Sequence, residues 1–542
     1  MNRSWNFNRR SVLKGLGTSG ALVAFANVMN PTLAFARQSG VLHVGLDGRD
    51  MGTLHPHVAT AAQDTAVISS IFNGLVRYVP GKVSVEAIEP DLAESWTVSG
   101  DFKQYSFKLR HGVRWHKGYG ECTSEDVKFS LLNVRDSVQS TFRPIFSNIE
   151  RIDTPDKYEV VIALKTPDPV FIAVLSGWQG GYVICKKAVE ALGDTYKNQP
   201  VGTGPFQFEE FRPKERVSLI ANPDFYRGTP KLKRIIYSYI PDQTARRYAF
   251  VQQEVDIIKG AANEDWLSEV INASKDKPLV DLLGPGRNVV IHMKRSVPPL
   301  DNLKIRLAIA HAINREDYQR FFGRVFEPNF GPIPLEYFGA IEPNEIPQNL
   351  LYKHDPDRAR QLLAEAGFKD GLKLETVVSE RGDYLGLAQI GKQQLSKVGI
   401  DLKLNVLDNA SWVAAIIKEK KGSLVWSTAA RYPSAETLIR EFWICAADVT
   451  KPTGVQGFAE YCNAKLDTAY QTAIAAADPK ERSKYFKQVQ TILLEDMPSV
   501  TLGSLATPVL RQSYVDLGYQ VKEGTKVLSL PYMYYFTEKT NV

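Results

Sequence analysis

The chain has 542 residues, 66 Lys+Arg against 60 Asp+Glu, a formal net charge of +6 and a hydrophobic fraction of 44%. These are ordinary globular values, which exclude a disordered, collagen-like or multi-span membrane chain, and at ~100–200 residues per domain they suggest two to four structural units. The basic excess would argue for a nucleic-acid or anionic-membrane partner only if the folded protein carried it.

It sits at one end instead. Residues 1–36 contain Arg3, Arg9, Arg10 and Lys14 and no acid. An apolar stretch from Leu16 to Met29 follows, diluted by Gly17, Thr18, Ser19 and Gly20, and ends at the small-x-small pattern Ala34-Phe35-Ala36 of a signal-peptidase site. It is shorter than the ~20 residues of a spanning helix. Asn8-Arg9-Arg10-Ser11-Val12-Leu13-Lys14 resembles a twin-arginine export motif, with Asn8 in place of the usual Ser or Thr and Val12 in place of Phe. Residues 1–36 are therefore expected to be a signal peptide. Taking its four basic residues from +6 leaves +2 on residues 37–542. With no Cys near the cleavage site, the expected product is a soluble periplasmic protein without a lipid anchor.

Val41–Leu46 reads as a strand and 65–79 as a helix. Tyr105, Phe107 and Leu109 alternate with polar residues, as do Val160, Ile162 and Leu164, which is the period of a half-buried strand. Thr123-Ser124-Glu125-Asp126 gives a capping-box-like start to a helix ending near Asp136. Residues 201–240 read as strands broken by Gly202, Gly204, Pro205, Asn222, Pro223 and Gly228. After about residue 288, helices at 302–314, 357–366, 384–398, 409–420, 464–476 and 479–495 alternate with strands such as Leu374–Val378, Leu402–Leu407 and Leu424–Trp426. That alternation predicts a doubly wound α/β lobe. From Ser499 the texture returns to strands and turns.

Four cysteines occur, at 122, 185, 445 and 462. A polar segment with Pro452 and Gly454 separates Cys445 from Cys462, so a disulfide there would close a loop of about 17 residues, worth roughly 3 kcal/mol. Cys122 with Cys185 follows by elimination. Neither spacing suits zinc. Catalytic signatures are missing: no GxSxG, HExxH or P-loop occurs, and Gly202-Thr203-Gly204-Pro205 reads as a turn. His55, His57, His111 and His116 read as structural. Lys231–Arg234 and Lys418–Lys421 read as solvated faces, which gives no nucleic-acid partner.

Several segments then carry a resemblance. They include Glu94-Ser95-Trp96, Gly112-Val113-Arg114-Trp115-His116, Val201-Gly202-Thr203-Gly204-Pro205-Phe206, Asn222-Pro223-Asp224-Phe225-Tyr226-Arg227-Gly228 and Ile305–Arg315. In this order the chain resembles the extracellular solute-binding proteins of family 5, the peptide/nickel-binding components of ABC importers. The resemblance implies an α/β, two-lobed Venus-flytrap fold of the large peptide-binding type with an extra subdomain. One lobe would hold 37–288 plus 499–542, with a protruding subdomain at about 80–195, and the other 289–498. Asn288–Met293 and Ser499–Gly503 would be the hinge strands. It further implies a monomer with no enzymatic activity, cofactor or metal, whose partners are a small-molecule or peptide ligand and the transporter's permease subunits. A nickel or metal-chelate receptor using His55, His57 or His116 is the runner-up, and a secreted hydrolase the reading from another class.

Ligand residues in such folds lie on loops after strands. The candidates are Arg49 and Asp50 after the first strand, Trp178 as an aromatic wall, Arg381 and Tyr384 after Leu374–Val378, and Trp426, Arg431 and Tyr432. Arg381 resembles the arginine that pairs with a peptide carboxylate in dipeptide-binding relatives, and a planar guanidinium suits that task. Those relatives carry an Asp after the tryptophan that Trp426 matches, to capture a free α-amino group. Here no acid lies between Trp426 and Pro433, and Arg431 is the only charge. A base where an ammonium should sit is repulsive, which favours an anionic or polyhydroxylated ligand.

Overall fold

The computed structural model describes residues 39–82, 87–176, 180–429, 434–451, 456–519, 526–528 and 537–539. Residues 1–36, expected to be an export signal, and the candidates Trp178, Arg431 and Tyr432 lie outside the described residues. The first half contains β1 (Val41–Leu46), α1 (Ala62–Ile71), β2 (Ala93–Val98), β3 (Gln104–Leu109), α2 (Ser124–Asp136), β4 (Ile149–Asp156), β5 (Glu159–Leu164), α3 (Lys186–Leu192), β6 (Phe206–Arg212), β7 (Arg216–Ala221), β8 (Arg234–Tyr239) and β9 (Ile257–Lys259). The second contains β10 (Leu279–Met293), α4 (Leu303–Ala312), β11 (Leu372–Ser379), α5 (Gly382–Ser396), β12 (Ile400–Leu407), α6 (Asn409–Ile417), β13 (Leu424–Ala429), α7 (Ala435–Phe442), α8 (Ala464–Ala475), α9 (Pro479–Asp496) and β14 (Ser499–Arg511).

The main sheet runs in the order β13-β10-β14-β9-β1-β8-β7-β6. Every residue of β1 is buried, and β1 lies parallel to both β8 and β9. A near-continuous apolar sequence is what such a central strand requires. The alternating segments form a separate antiparallel sheet, β2-β3-β5-β4, in which Tyr105, Phe107 and Leu109 face inward. The start of α2 is as expected, with the Thr123 N–H donating to Asp126 at 3.0 Å. β11 and β12 pair in parallel throughout, from Leu372↔Ile400 to Ser379↔Leu407.

The helix expected over 65–79 ends at Ile71, and Val76–Tyr78 is a strand. Tertiary contacts decide this. The Gly204 N–H takes the Ile71 carbonyl at 2.8 Å, and the Asn73 side chain is held by Asp91 and Thr203. A Cβ at Gly202 would lie 1.9 Å from the Ile71 oxygen. The Gly-Thr-Gly segment therefore serves close backbone approach.

Two hydrophobic cores result. One gathers side chains from Leu42 to Tyr239, with Ile257, Val509 and Val515. The other runs from Ala249 to Leu510 and contains Trp426, Trp443 and the buried faces of α4, α5 and α9. β10 and β14 run through both regions. They pair antiparallel from Leu279↔Arg511 to His292↔Ser499, with slips between Leu283 and Arg287 and between Val289 and Val290. At one end β14 borders β9 (Lys259↔Val509), and at the other β10 borders β13 (Met293↔Leu424). The segments expected to cross thus lie inside longer strands, and the first slip falls at Gly284-Pro285-Gly286.

Cys445 and Cys462 form the expected disulfide, 17 residues apart. Cys122 and Cys185, by contrast, are free and buried. The Cys122 N–H is fixed to Val113 and the Cys185 carbonyl to the Val189 N–H in α3. Both thiols are pushed up by burial, that of Cys185 to about 12. They pack as small hydrophobes, and pairing by elimination overlooked that option. Among the described residues, no helix is long and apolar enough to cross a membrane.

Candidate functional site

The segment after β1 is tied to the end of β9, and the segment after β11 meets β10 and β13. Lys259, at the end of β9, reaches Asp47 after β1 at 2.6 Å. From the other side, Arg381 and Asp383 follow β11, and Thr428 stands near the end of β13. Arg287, just past the slip in β10, donates from Nη1 to Asp383 Oδ2 at 2.9 Å and to Thr428 Oγ1 at 3.4 Å. The Arg381 Nη2 donates to the same Asp383 oxygen at 3.1 Å. Burial acts to raise the Asp383 carboxyl, but Arg287 and then Arg381 outweigh it and hold it below its ordinary value. Among these three side chains two guanidiniums meet one carboxylate, an excess of one positive charge, while the Glu336 carboxylate lies by Gly286. The Arg381 side chain is 48% exposed, against 21% for Arg287 and 16% for Asp383, so the excess faces solvent.

Tyr384 supports this arrangement from beneath. Its ring lies 4.9 Å under the Arg381 guanidinium and meets Trp412 edge-on. Its hydroxyl accepts from the Thr428 N–H at 3.4 Å and lies 3.2 Å from Thr428 Oγ1. At 7% exposure it props the arginine and is not an open wall. Trp426 is a correction to the sequence reading. It is buried, packed against Gly391 of α5 and near Tyr318, and faces no solvent. Trp426 belongs to a strand with buried neighbours on both sides, so its ring went into the core. Asp50 is also committed locally: its Oδ1 accepts from the Lys214 N–H at 2.8 Å and the Met51 N–H at 2.9 Å, pinning the β1 loop to the β6–β7 hairpin. Arg49 is exposed beside it.

The histidines of the metal alternative are occupied. The His57 ring contacts the Tyr182 carbonyl and the Asn133 amide, each at 2.9 Å. His116 contacts the Gly204 carbonyl at 2.9 Å and the Gly202 N–H at 3.4 Å. His55 Nδ1 accepts from the His57 N–H. Burial lowers His55 and His116 to about 4 and His57 to about 3, so all three rings are neutral.

The family model for "Bacterial extracellular solute-binding proteins, family 5 Middle" matches residues 87–449, well over half the chain. The chain belongs to this family. Among curated relatives, di/tripeptide-binding protein 2 of Pseudomonas aeruginosa is 26% identical, with 80% of this chain and 84% of that protein covered. The glutathione-binding protein GsiB of Salmonella choleraesuis is 27% identical, with 90% and 92% covered. Among solved structures, MoaA of A. tumefaciens R10 in complex with mannopinic acid superimposes with a TM-score of 0.80 at 31% identity, covering 93% of this chain and all of that one.

As a family 5 member the protein is a solute-binding component of ABC transport, with the α/β periplasmic-binding-protein fold. Sequence reasoning proposed Arg381 but not Arg287, Asp383 and Thr428, with which the structure groups it. A signal for Arg287 existed: Gly284-Pro285-Gly286 interrupts an otherwise strand-like run, which marks a break where a side chain is re-aimed.

Proposed function

We propose that the protein is a monomeric periplasmic receptor, exported by a twin-arginine signal peptide and without a lipid anchor, which has no chemistry of its own. It hands a small anionic, peptide-like or opine-like solute to the permease of an ABC importer. One lobe comprises 37–288 plus 499–542, with a protruding subdomain at about 80–195, and the other 289–498. They close about β10 and β14, and a ligand touching both favours the closed form by its differential affinity. The observation that carries this reading is Arg381: half-exposed, stacked on Tyr384, and part of a positively biased cluster where the two cores meet. The similarity to a protein solved with mannopinic acid and to a glutathione-binding protein supports an acidic solute. So does the lack of any acid between Trp426 and Pro433, where Arg431 and Tyr432 complete the proposed set with Arg49.

The test is titration of the mature protein with mannopinic acid, glutathione and dipeptides, alongside native mass spectrometry of protein from its own periplasm. Arg381→Ala should weaken binding of an acidic solute by about 10- to 100-fold, the worth of a charge-assisted bidentate contact. A receptor whose bound solute proves cationic, or unaffected by this substitution, would not be the one described.

A further inference from the structure

Arg287 leaves β10 at a point where the two crossing strands are pressed together. A Cβ at Gly286 would lie 1.7 Å from Ser504 Oγ and 3.0 Å from Ser504 Cβ, so a side chain immediately before Arg287 would have to displace Ser504. The Tyr337 hydroxyl donates to the Gly286 carbonyl at 3.4 Å, which fixes the backbone from the other side. The guanidinium is thus carried by a rigid support. Its contacts with Asp383 and Thr428 are both made by Nη1, whereas its Nε is buried and has no hydrogen-bond partner. A guanidinium has five donors in a planar fork, and a buried donor left unmade is unfavourable. Arg381, converging on the same Asp383 oxygen, uses Nη2. The two forks therefore meet over one resident carboxylate oxygen while keeping donor edges for another acceptor.

We infer that Arg287 is the second arm of a carboxylate clamp: a carboxyl group of the solute is held jointly by Arg381 and Arg287, opposite Asp383. This rests on the acidic-solute reading above and adds a specificity-determining residue to it. Asp383 is the resident counter-ion that holds the two like charges together when the solute is away. The clamp selects a planar carboxylate over its carboxamide, because the amide NH2 would point a donor at two donor forks. It also ties the solute directly to a strand common to both cores.

The experiment uses the mature full chain, with glutathione and its glycine carboxamide as one probe pair and mannopinic acid and its mono-amides as the other. Arg287→Ala should weaken the acid of whichever pair the unmodified protein binds by about 10- to 100-fold, and leave its amide within about threefold. Arg287→Lys keeps a charge beside Asp383 but not the fork, so it should restore less than about a tenth of the lost affinity. It also serves if the alanine variant folds poorly. Equal loss for acid and amide would overturn the clamp, since that is the mark of a residue acting only through Asp383. Unmodified affinity in Arg287→Ala with loss in Arg381→Ala would overturn the clamp while leaving the acidic-solute reading intact. Failure of the unmodified protein to bind either acid at about 1 mM, a binding free energy near 4 kcal/mol, would overturn both.

Discussion

Of the places where charged groups from distant parts of the chain meet, two are opposite in kind. Beside the crossing strands, Arg287 and Arg381 share Asp383: two cations, one anion, partly open to solvent. The second cluster joins the segment after β5 to the other core. Arg482 of α9 donates to Glu436 of α7 at 2.7 Å, lies 3.6 Å from Asp168 in the segment after β5, and reaches the Pro167 carbonyl at 3.4 Å. Here two carboxylates share one buried arginine, whose side chain is 2% exposed, and Arg440 pairs with Glu436 at 3.5 Å as a second cation. An open positive excess invites an anion from outside. A sealed cluster with charges matched leaves an anion from outside nothing to pair with, and its arginine stays held by its two carboxylates. The first has the properties of a binding site and the second of a fastening between the two cores.

Removing the central arginine of the sealed cluster should have the largest effect. Arg482→Met preserves much of the volume but strands Asp168 and Glu436 without their shared partner. Breaking a buried pair from one side is expected to destabilise by about 3–5 kcal/mol. Urea unfolding of the unliganded protein measures this. A loss under about 1 kcal/mol would mean that the cluster is no fastening and would erase the contrast with the open one.

Why the open cluster was half legible in sequence, and the sealed one not at all, has a physical basis. Arg381 follows an apolar strand within a short polar loop, and a loop after a strand is where α/β proteins expose ligand groups. Its local neighbour Tyr384 was in view with it. Arg287 is 96 positions from Asp383, and only the pairing of β10 with β14 and β13 brings them together. The Asp168–Arg482 contact spans over 300 residues, and no local pattern encodes it. Periodicity served well where burial is one-sided, as in β3 and β5, and for the long helices α5 and α9. It failed at 65–79, and the resemblance did not show that Trp426 is buried, for one shared reason. Whether a large apolar residue lines a cleft or fills a core, and whether a helix continues or stops, was settled by partners remote in sequence.

The next effect is a pH dependence that separates the clusters by sign. Asp168 is faced by Arg482 from α9, Glu436 and Arg440 from α7, Tyr470 from α8 and Tyr105 from β3. Burial raises its carboxyl to about 7, Glu436 adds to the rise, and Arg482 opposes it. A raised value means that the joined form of the cores takes up a proton. Its contribution is therefore full below the ordinary Asp value of about 4 and is lost as pH rises through about 7. If solute binding closes the lobes onto this contact, affinity should weaken by at most about tenfold per pH unit within that window. Asp168→Asn, a mimic of the protonated acid, should flatten the profile. An unchanged profile in that variant would show that the contact persists in the open form and takes no part in closure.

The smallest effect should come from Asp383→Asn, because its cluster is partly solvated. The depressed carboxyl of Asp383 stabilises the fold above its ordinary titration range and ceases to do so as pH falls through its lowered value, the reverse of Asp168. With Arg381 half-exposed, its removal should reduce stability by no more than about 1 kcal/mol. The same change removes the resident anion from between two arginines, so an acidic solute meets a stronger positive field. Its affinity should rise, though by less than about tenfold. Weaker binding in Asp383→Asn would mean that the carboxylate's chief work is to align the two guanidiniums. The open cluster would then resemble the sealed one, a contact kept for its own geometry, and the distinction between binding site and fastening would rest on Arg381 alone.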